Sequence, residues 1–202
     1  MSIKVIIEKK AISYKKAMKY IEKKVQNLKK GKNSELIWIL EHPLTYTAGV
    51  SFDKKDILKK IKLIKTNRGG KITVHNPGQK IIYFAIDLNT RKKDIRNLIK
   101  VIENSIIEFL KIYKIEGKAD KKNIGIWVKN KKIAAIGIRV SRWVAFHGCS
   151  INIKNNLEDY KNINPCGLNN SLVTNLRSET KEDLIDIDKN LKKIFLKNFN
   201  KI

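Results

Sequence analysis

Cysteine, proline and histidine are all scarce in this chain of 202 residues, and each shortage excludes something. Cys149 and Cys166 allow at most one disulfide. The N-terminus turns charged at Glu8, Lys9 and Lys10 instead of running on into an apolar export segment with a small-residue cleavage site. Reduced thiols and a cytoplasmic location are therefore expected. Structural zinc needs about four ligands at CxxC or HxxxH-type spacing, and 2 cysteines with 3 histidines supply no such pattern. No apolar run approaches the roughly 20 residues of a membrane-spanning helix. With no Pro- or Ser-rich linker and no internal repeat, residues 1–202 read as one domain, long enough to bury a real core.

Acid is the other shortage. Lys and Arg number 44 against 19 Asp and Glu, a formal net charge of +25. Clustered lysines would drive counterion release from phosphates, so a non-catalytic basic nucleic-acid-binding protein is one class to weigh. Here the lysines are scattered over every segment, alongside many Ile and Asn, as an A/T-rich coding sequence would produce. No zinc finger, RNP-type aromatic motif or helix-turn-helix signature accompanies them. A basic surface of this kind suits acidic protein partners, where it steers encounter more than it fixes affinity. The 42% hydrophobic content places the chain among globular, not disordered, proteins.

What is present reads in order as follows. Ile3 to Ile7 is a short strand. Ser13 caps a helix with Tyr14, Ala17, Met18, Ile21, Val25 and Leu28 on one face, stopped at Gly31. Leu36 to Leu40 is a continuous apolar run, hence a strand buried on both faces. Glu41 to Gly49 reads as a polar loop kept irregular by Pro43 and Gly49. His42 within it is either a hydrogen-bonded loop residue or a pocket residue. Residues 51 to 65 read as a solvated, Lys-rich connection.

The densest run of special residues is Thr66-Asn67-Arg68-Gly69-Gly70-Lys71-Ile72-Thr73-Val74-His75-Asn76-Pro77-Gly78-Gln79. Paired glycines leave amide N–H groups open to a ligand oxygen, and Arg68 adds a fixed fork of donors. The run is not the GxxxxGK(S/T) phosphate loop. Lys71 to His75 and Lys80 to Ile86 are expected to pair as a hairpin across Pro77-Gly78. Thr90 is expected to start a long helix. Ile124 to Val128 and Lys132 to Val140 form a second hairpin. Its period-2 pattern puts Lys132 on the face of Ala134 and Ile136, either snorkelling to water or held in a pocket wall. Trp143 to Ile153 is a further strand, in which Gly148 marks a bulge or a close approach and Cys149 reads as core. Leu157 to Ile163 makes about one helical turn, and Thr180 with Asp183 resembles a capping box for a final helix.

Asn164-Pro165-Cys166-Gly167 sets a thiol between a residue that stiffens the backbone and one that frees it, so that Cys166 is either a small hydrophobe buried in a turn or a presented nucleophile. A free thiol titrates at about 8.5, so a nucleophilic cysteine needs a cation beside it. His42, His75, His147, Lys71 and Lys132 are the candidates, and spacing alone does not choose among them.

The strings Arg68 to Gln79, Lys132 to Val140, Phe146-His147-Gly148 and Asn164 to Gly167, with the Glu41-His42-Pro43 loop, occur in one order that closely resembles the lipoyl(octanoyl) transferase family. The resemblance spans roughly residues 36 to 176. It implies the fold of the biotin and lipoate protein ligase catalytic domain, a mixed α/β (α+β) arrangement in which mixed or antiparallel sheets are flanked by helices. It also implies that Cys166 is the acyl-thioester nucleophile and that Lys132 lowers its pKa. Arg68, Gly69, Gly70, Lys71, Ile72, Thr73, Val74 and His75, with Ala135, Ile136 and Gly137 and with Gly148, Cys149 and Ser150, would line the acyl and thioester site. His42 and His147 are possible pocket residues.

The implied reaction moves octanoyl from octanoyl-acyl carrier protein to a lysine of lipoyl domains, on 2-oxoacid dehydrogenase E2 subunits and the glycine cleavage H protein. It implies no cofactor, no metal, no nucleic acid and no membrane. Family members usually carry an aromatic residue where Val74 stands and glycine where Asn76 stands. An ATP-dependent lipoate or biotin ligase on the same fold is the nearest alternative.

Overall fold

The computed structural model describes residues 2–32, 34–120, 123–165 and 173–202. Its framework is a seven-stranded sheet built from β1 (Ile3–Ile7), β2 (Glu35–Leu40), β6 (Gln79–Asp87), β7 (Lys118–Ala119), β8 (Gly125–Val128), β9 (Lys131–Ser141) and β10 (Val144–Asn152). The order across it is β1-β2-β6-β10-β9-β8-β7, with β1 and β2 parallel and every other pair antiparallel. A second sheet of three strands, β4 (Leu63–Lys65), β3 (Thr45–Ala48) and β5 (Ile72–His75), lies in the order β4-β3-β5. This is the mixed, helix-flanked α/β arrangement anticipated above.

The two-faced composition of the central strands decides the layering, because successive side chains of a strand point to opposite faces. Ile37, Ile39, Ile82, Phe84 and Ile86 point one way, into a core with Leu98, Ile102, Ile106 and Phe109 of α2 (Ile95–Ile112) and Leu191, Ile194, Phe195 and Phe199 of α4 (Ile187–Phe199). Leu36, Trp38, Leu40, Ile81, Tyr83 and Ala85 point the other way, under Ala17, Ile21, Val25 and Leu28 of α1 (Tyr14–Lys29). Fully burying each such side chain contributes about 1.5–3 kcal/mol. A large-to-small change at the completely buried Phe84 would cost about 3–5 kcal/mol.

Several local expectations differ from what forms. β5 does not return as a hairpin onto β6: it pairs with β3, while β6 is flanked by β2 and β10. Both edges of β6 are occupied, so β5 has no backbone partner there, and the chain crosses between the sheets at Pro77-Gly78, where Gly78 has φ +86°. The supposedly irregular loop contains β3, whose Tyr46-Thr47-Ala48 stretch pairs on both sides. Residues 51–65 are not simply solvated, since Ile57, Ile61 and Leu63 pack into the small-sheet core with Tyr46, Ile72 and Val74.

Thr90 belongs to a short 3-10 turn, and α2 begins at Ile95 after Asp94, whose carboxylate accepts from Asn97 N–H at 2.9 Å. Thr180 does not cap the last helix. It ends a short helix α3 (Leu176–Glu179), its hydroxyl donating to Tyr113 O at 2.8 Å, and α4 starts after Asp186. Glu35, the first residue of β2 and just ahead of its apolar run, is fully buried against Arg91.

Candidate active site

A cavity of about 360 Å³ opens between the two sheets. That volume lies toward the lower end of the roughly 300–1,000 Å³ typical of small-molecule sites. The large sheet supplies Tyr83 of β6, Ala135 to Gly137 of β9 and Gly148 to Ser150 of β10. The small sheet and the loop before it supply Arg68 to Thr73 and His75.

The loop is held rigidly. Arg68 donates through Nη1 to Gly69 O at 2.9 Å, and through Nη2 to Thr47 O at 2.9 Å and Thr47 Oγ1 at 3.0 Å. Gly69 N–H reaches across to Ile138 O of β9 at 3.1 Å, tying the loop to the large sheet. Gly148 marks no bulge, since β10 pairs in unbroken register with β6 and β9 through it, and it lines the cavity. A Cβ there would collide with Ile82 O, so its lack of a side chain lets β6 and β10 pair closely.

Lys132 reaches this cavity through a defect in the sheet. Ile126 pairs with Ala134 but Trp127 pairs with Lys132, which leaves Ile133 without a partner on β8. Such a bulge resets the alternation of side chains. Ile133 and Ala134 both pack into the large core, and Lys132, only 6% exposed, lines the cavity with Ala134, Ala135, Ile136 and Gly137. The unpaired Ile133 breaks the uninterrupted alternation expected from Lys132 to Val140. Lys132 also forms a parallel bridge with Val173, and its carbonyl accepts from Thr174 N–H at 3.0 Å.

Cys166 and Gly167 lie outside the described residues. The described residues nearest to them on either side, Pro165 and Val173, both line the cavity. Val74 stands within the loop-strand run that forms the roof, but its side chain packs into the small-sheet core instead.

The histidines do not supply the cation a thiolate needs. His42 is completely buried outside the cavity wall, its Nδ1–H donating to Ile12 O at 2.5 Å and its Nε2 accepting from Tyr83 Oη at 2.9 Å. Burial lowers its pKa to about 4, despite the opposing bond to Ile12. His75 does line the cavity and donates Nδ1–H to Gln79 Oε1 at 2.7 Å. Burial first, then the neighbouring His42, lowers it to about 3. His147 is brought to about 4 by burial and by Arg68 and Arg139. All three rings are neutral near pH 7. Lys71 turns toward the buried Asp56 carboxylate at 3.9 Å, whereas the cation brought into the cavity from β9 is Lys132. Cys149 is buried among apolar neighbours, and burial pushes its thiol well above the ordinary range, as befits an inert core cysteine.

Beneath His75, sequence reading missed a buried polar network. Gln79 Nε2 donates to Asn152 Oδ1 at 2.8 Å and to Tyr160 Oη at 3.0 Å, and Asn152 and Tyr160 also line the cavity. Their only signal was polarity inside otherwise apolar stretches. Tyr83, likewise unflagged, was masked by its place in an apolar strand. Among the described residues no cluster of three His, Cys, Asp or Glu could hold a metal ion, and no helix is long and apolar enough to cross a membrane.

The family profile for the lipoyl protein ligase A/B catalytic domain matches residues 13–200. The chain belongs to this family. A relative within reach of sequence comparison is an octanoyltransferase of Wolbachia sp. subsp. Brugia malayi (strain TRS), 41% identical over 201 residues, 96% of this chain and 98% of that protein. Among solved structures, a lipoate-protein ligase A bound with ATP superposes with a TM-score of 0.82 at 12% identity, covering 99% of this chain and 86% of that protein. A bipartite lipoate protein ligase from Thermoplasma acidophilum, studied with its E2 lipoyl domain, gives 0.78 at 11%, covering 99% and 84%. At those identities the structural likeness shows the lipoyl protein ligase fold alone.

Proposed function

We propose that this member of the lipoyl protein ligase A/B family transfers an octanoyl group from octanoyl-acyl carrier protein, through a thioester on Cys166, to a lysine of lipoyl domains. The whole chain acts as one acyltransferase domain in the cytoplasm, without ATP or another cofactor. The acceptors are lipoyl domains of 2-oxoacid dehydrogenase E2 subunits and the glycine cleavage H protein. The observation that carries this reading is the convergence on one cavity of Lys132, the Arg68 to Thr73 loop and both flanks of the Cys166 segment, in a chain 41% identical to an octanoyltransferase.

The Lys132 ammonium holds the Cys166 thiol ionised, and the thiolate attacks the carbonyl carbon of the donor thioester. A new C–S bond forms, the donor's C–S bond breaks, and the departing carrier thiolate takes a proton from Lys132. Backbone amides of the Arg68 to Lys71 loop, other than that of Gly69, which is bonded to Ile138 O, stabilise the intermediate oxyanion. In the second half the incoming lysine amine attacks the acyl-enzyme, Lys132 accepts its proton, an amide forms and the Cys166 thiolate leaves. Exchange of one thioester for another is near thermoneutral, so ATP is not consumed. Apolar residues line the cavity, Ile72, Ile136 and Ile138 among them, as suits an alkyl chain.

Incubation with octanoyl-acyl carrier protein should give an octanoyl adduct by intact mass, removed by hydroxylamine and absent from Cys166→Ser. The ATP-dependent ligase reading, which the ATP-bound neighbour keeps in view, requires the opposite: transfer that depends on ATP and survives Cys166→Ser.

A further inference from the structure

A lysine side chain has four rotatable carbons, and an ammonium that must stay close to one sulfur cannot be left to sample them. The Coulomb attraction between the two charges weakens with distance, so the conformation of the stem matters as much as the presence of the charge. Two residues of β8 constrain that stem.

Gly125 has φ +143°, a backbone conformation that L side chains rarely adopt. A Cβ built there would lie 2.5 Å from Ala134 O and 3.2 Å from Lys132 Nζ, and would collide with Lys132 Cε. The Cα of Gly125 is thus the surface across which the end of the lysine stem passes. Trp127 stands opposite Lys132 in the strand register, with Nζ 5.5 Å from the centroid of its ring. The indole is itself tethered, its Nε1–H donating to Asn123 O at 3.0 Å. A fixed aromatic face attracts an ammonium placed over it. The bulge at Ile133 turns Lys132 toward the cavity, and these two residues define where its head stops.

We infer that Gly125 and Trp127 are positioning residues for Lys132: Gly125 leaves open the space the lysine stem crosses, and Trp127 faces its ammonium. Neither is required to touch substrate. The inference rests on the thioester reading of Cys166 and Lys132 and extends it to the residues that hold the lysine in place.

The test follows the alkylation of Cys166 by iodoacetamide across pH, read by mass on that residue, because the rate reports the thiolate and a merely structural role would leave its midpoint unmoved. Gly125→Ala and Trp127→Leu are expected to move the midpoint upward and to slow acylation at neutral pH by about tenfold, the consequence of roughly one unit, with little change in KM. Trp127→Phe, which keeps an aromatic face, is expected to recover most of the difference. In a Lys132→Ala background Trp127→Leu should add no further shift.

A Trp127→Leu profile like that of the parent, or an effect undiminished without Lys132, overturns the inference, and the two Trp127 variants decide it if Gly125→Ala does not fold. The level of failure is separable. A Lys132→Ala shift with an unmoved Trp127→Leu sinks the positioning role alone, whereas an unmoved Lys132→Ala profile overturns it together with the thioester reading.

Discussion

His147 donates its Nε2–H to Oδ1 of Asn67 at 2.6 Å, from outside the cavity that Arg68, the next residue, lines. The sequence pattern marked His147 as a possible pocket residue. Its place is behind the Gly-rich loop, which it anchors together with Arg139, whose Nη1 donates to Asn67 O at 3.4 Å. His147 sits at φ +67°, a conformation that Asn tolerates better than most residues.

His147→Asn therefore keeps the backbone comfortable while shortening the side chain out of reach of Asn67. Losing a buried hydrogen bond costs about 1–3 kcal/mol. We expect KM for the acyl donor to rise by roughly the same free energy, or about tenfold, with a smaller fall in kcat. Parental steady-state kinetics in the variant would show that the loop does not depend on this anchor.

The three buried histidines make stability sensitive to mild acid. Their folded pKa values, about 4, 3 and 4, are below the unfolded value of about 6.5. The unfolded chain therefore binds more protons below that value, and the stabilisation present above pH 6.5 is lost progressively as pH falls toward 4. Each histidine contributes a slope of up to about 1.4 kcal/mol per pH unit in that window. Urea unfolding at pH 7 and pH 5 measures it, and equal midpoints at the two values would refute it.

Glu35 and Arg91, neither of which lines the cavity, form a buried pair. Glu35 Oε2 meets Arg91 Nη2 at 2.5 Å, Oε1 accepts from Asp87 N–H at 2.9 Å, and Arg91 Nη1 donates to Phe199 O at 2.8 Å. Arg91→Met leaves an uncompensated buried carboxylate and should cost about 3–5 kcal/mol, with Glu35→Leu in the same chain recovering much of it. Thermal melts of the single and double variants give the answer. A single variant as stable as the parent would mean the pair is not buried as described.

Between Lys9 and Lys32 the sequence holds 10 lysines and the single carboxylate Glu22. No lysine of α1 makes an ion pair among the described residues. Lys15 and Lys19 share a groove with Lys65, Thr66 and Asn67, just behind the loop that carries Arg68. If the donor is an acidic carrier protein, Lys15→Glu with Lys19→Glu should raise KM for the carrier-bound donor several-fold at low salt and less at high salt, where screening is strong. Turnover of a small octanoyl thioester should stay unchanged. Equal effects on both donors would exclude this face from docking.

Much of the cavity lining was named in advance because it falls in the runs that carry the family resemblance. Arg68 to Thr73 and His75, Ala135 to Gly137 and Gly148 to Ser150 do line one cavity. Asn152, Tyr160 and Val173 were not legible, because they come together only when a 3-10 turn and strand ends from distant segments meet.

The sequence by itself determined the two-faced strands Glu35–Leu40 and Gln79–Asp87, the helix that buries Ala17, Ile21 and Val25, and the set of groups available for chemistry. Those properties are local: side-chain alternation and helical spacing follow from backbone geometry within a few residues. Only the tertiary structure decided that β5 leaves β6, whose edges β2 and β10 already occupy, and that an unpaired Ile133 turns Lys132 into the cavity. It also decided that His42, His75 and His147 are buried deeply enough to stay neutral near pH 7. Strand edges, register defects and desolvation are set by partners far away along the chain, and no local pattern encodes them.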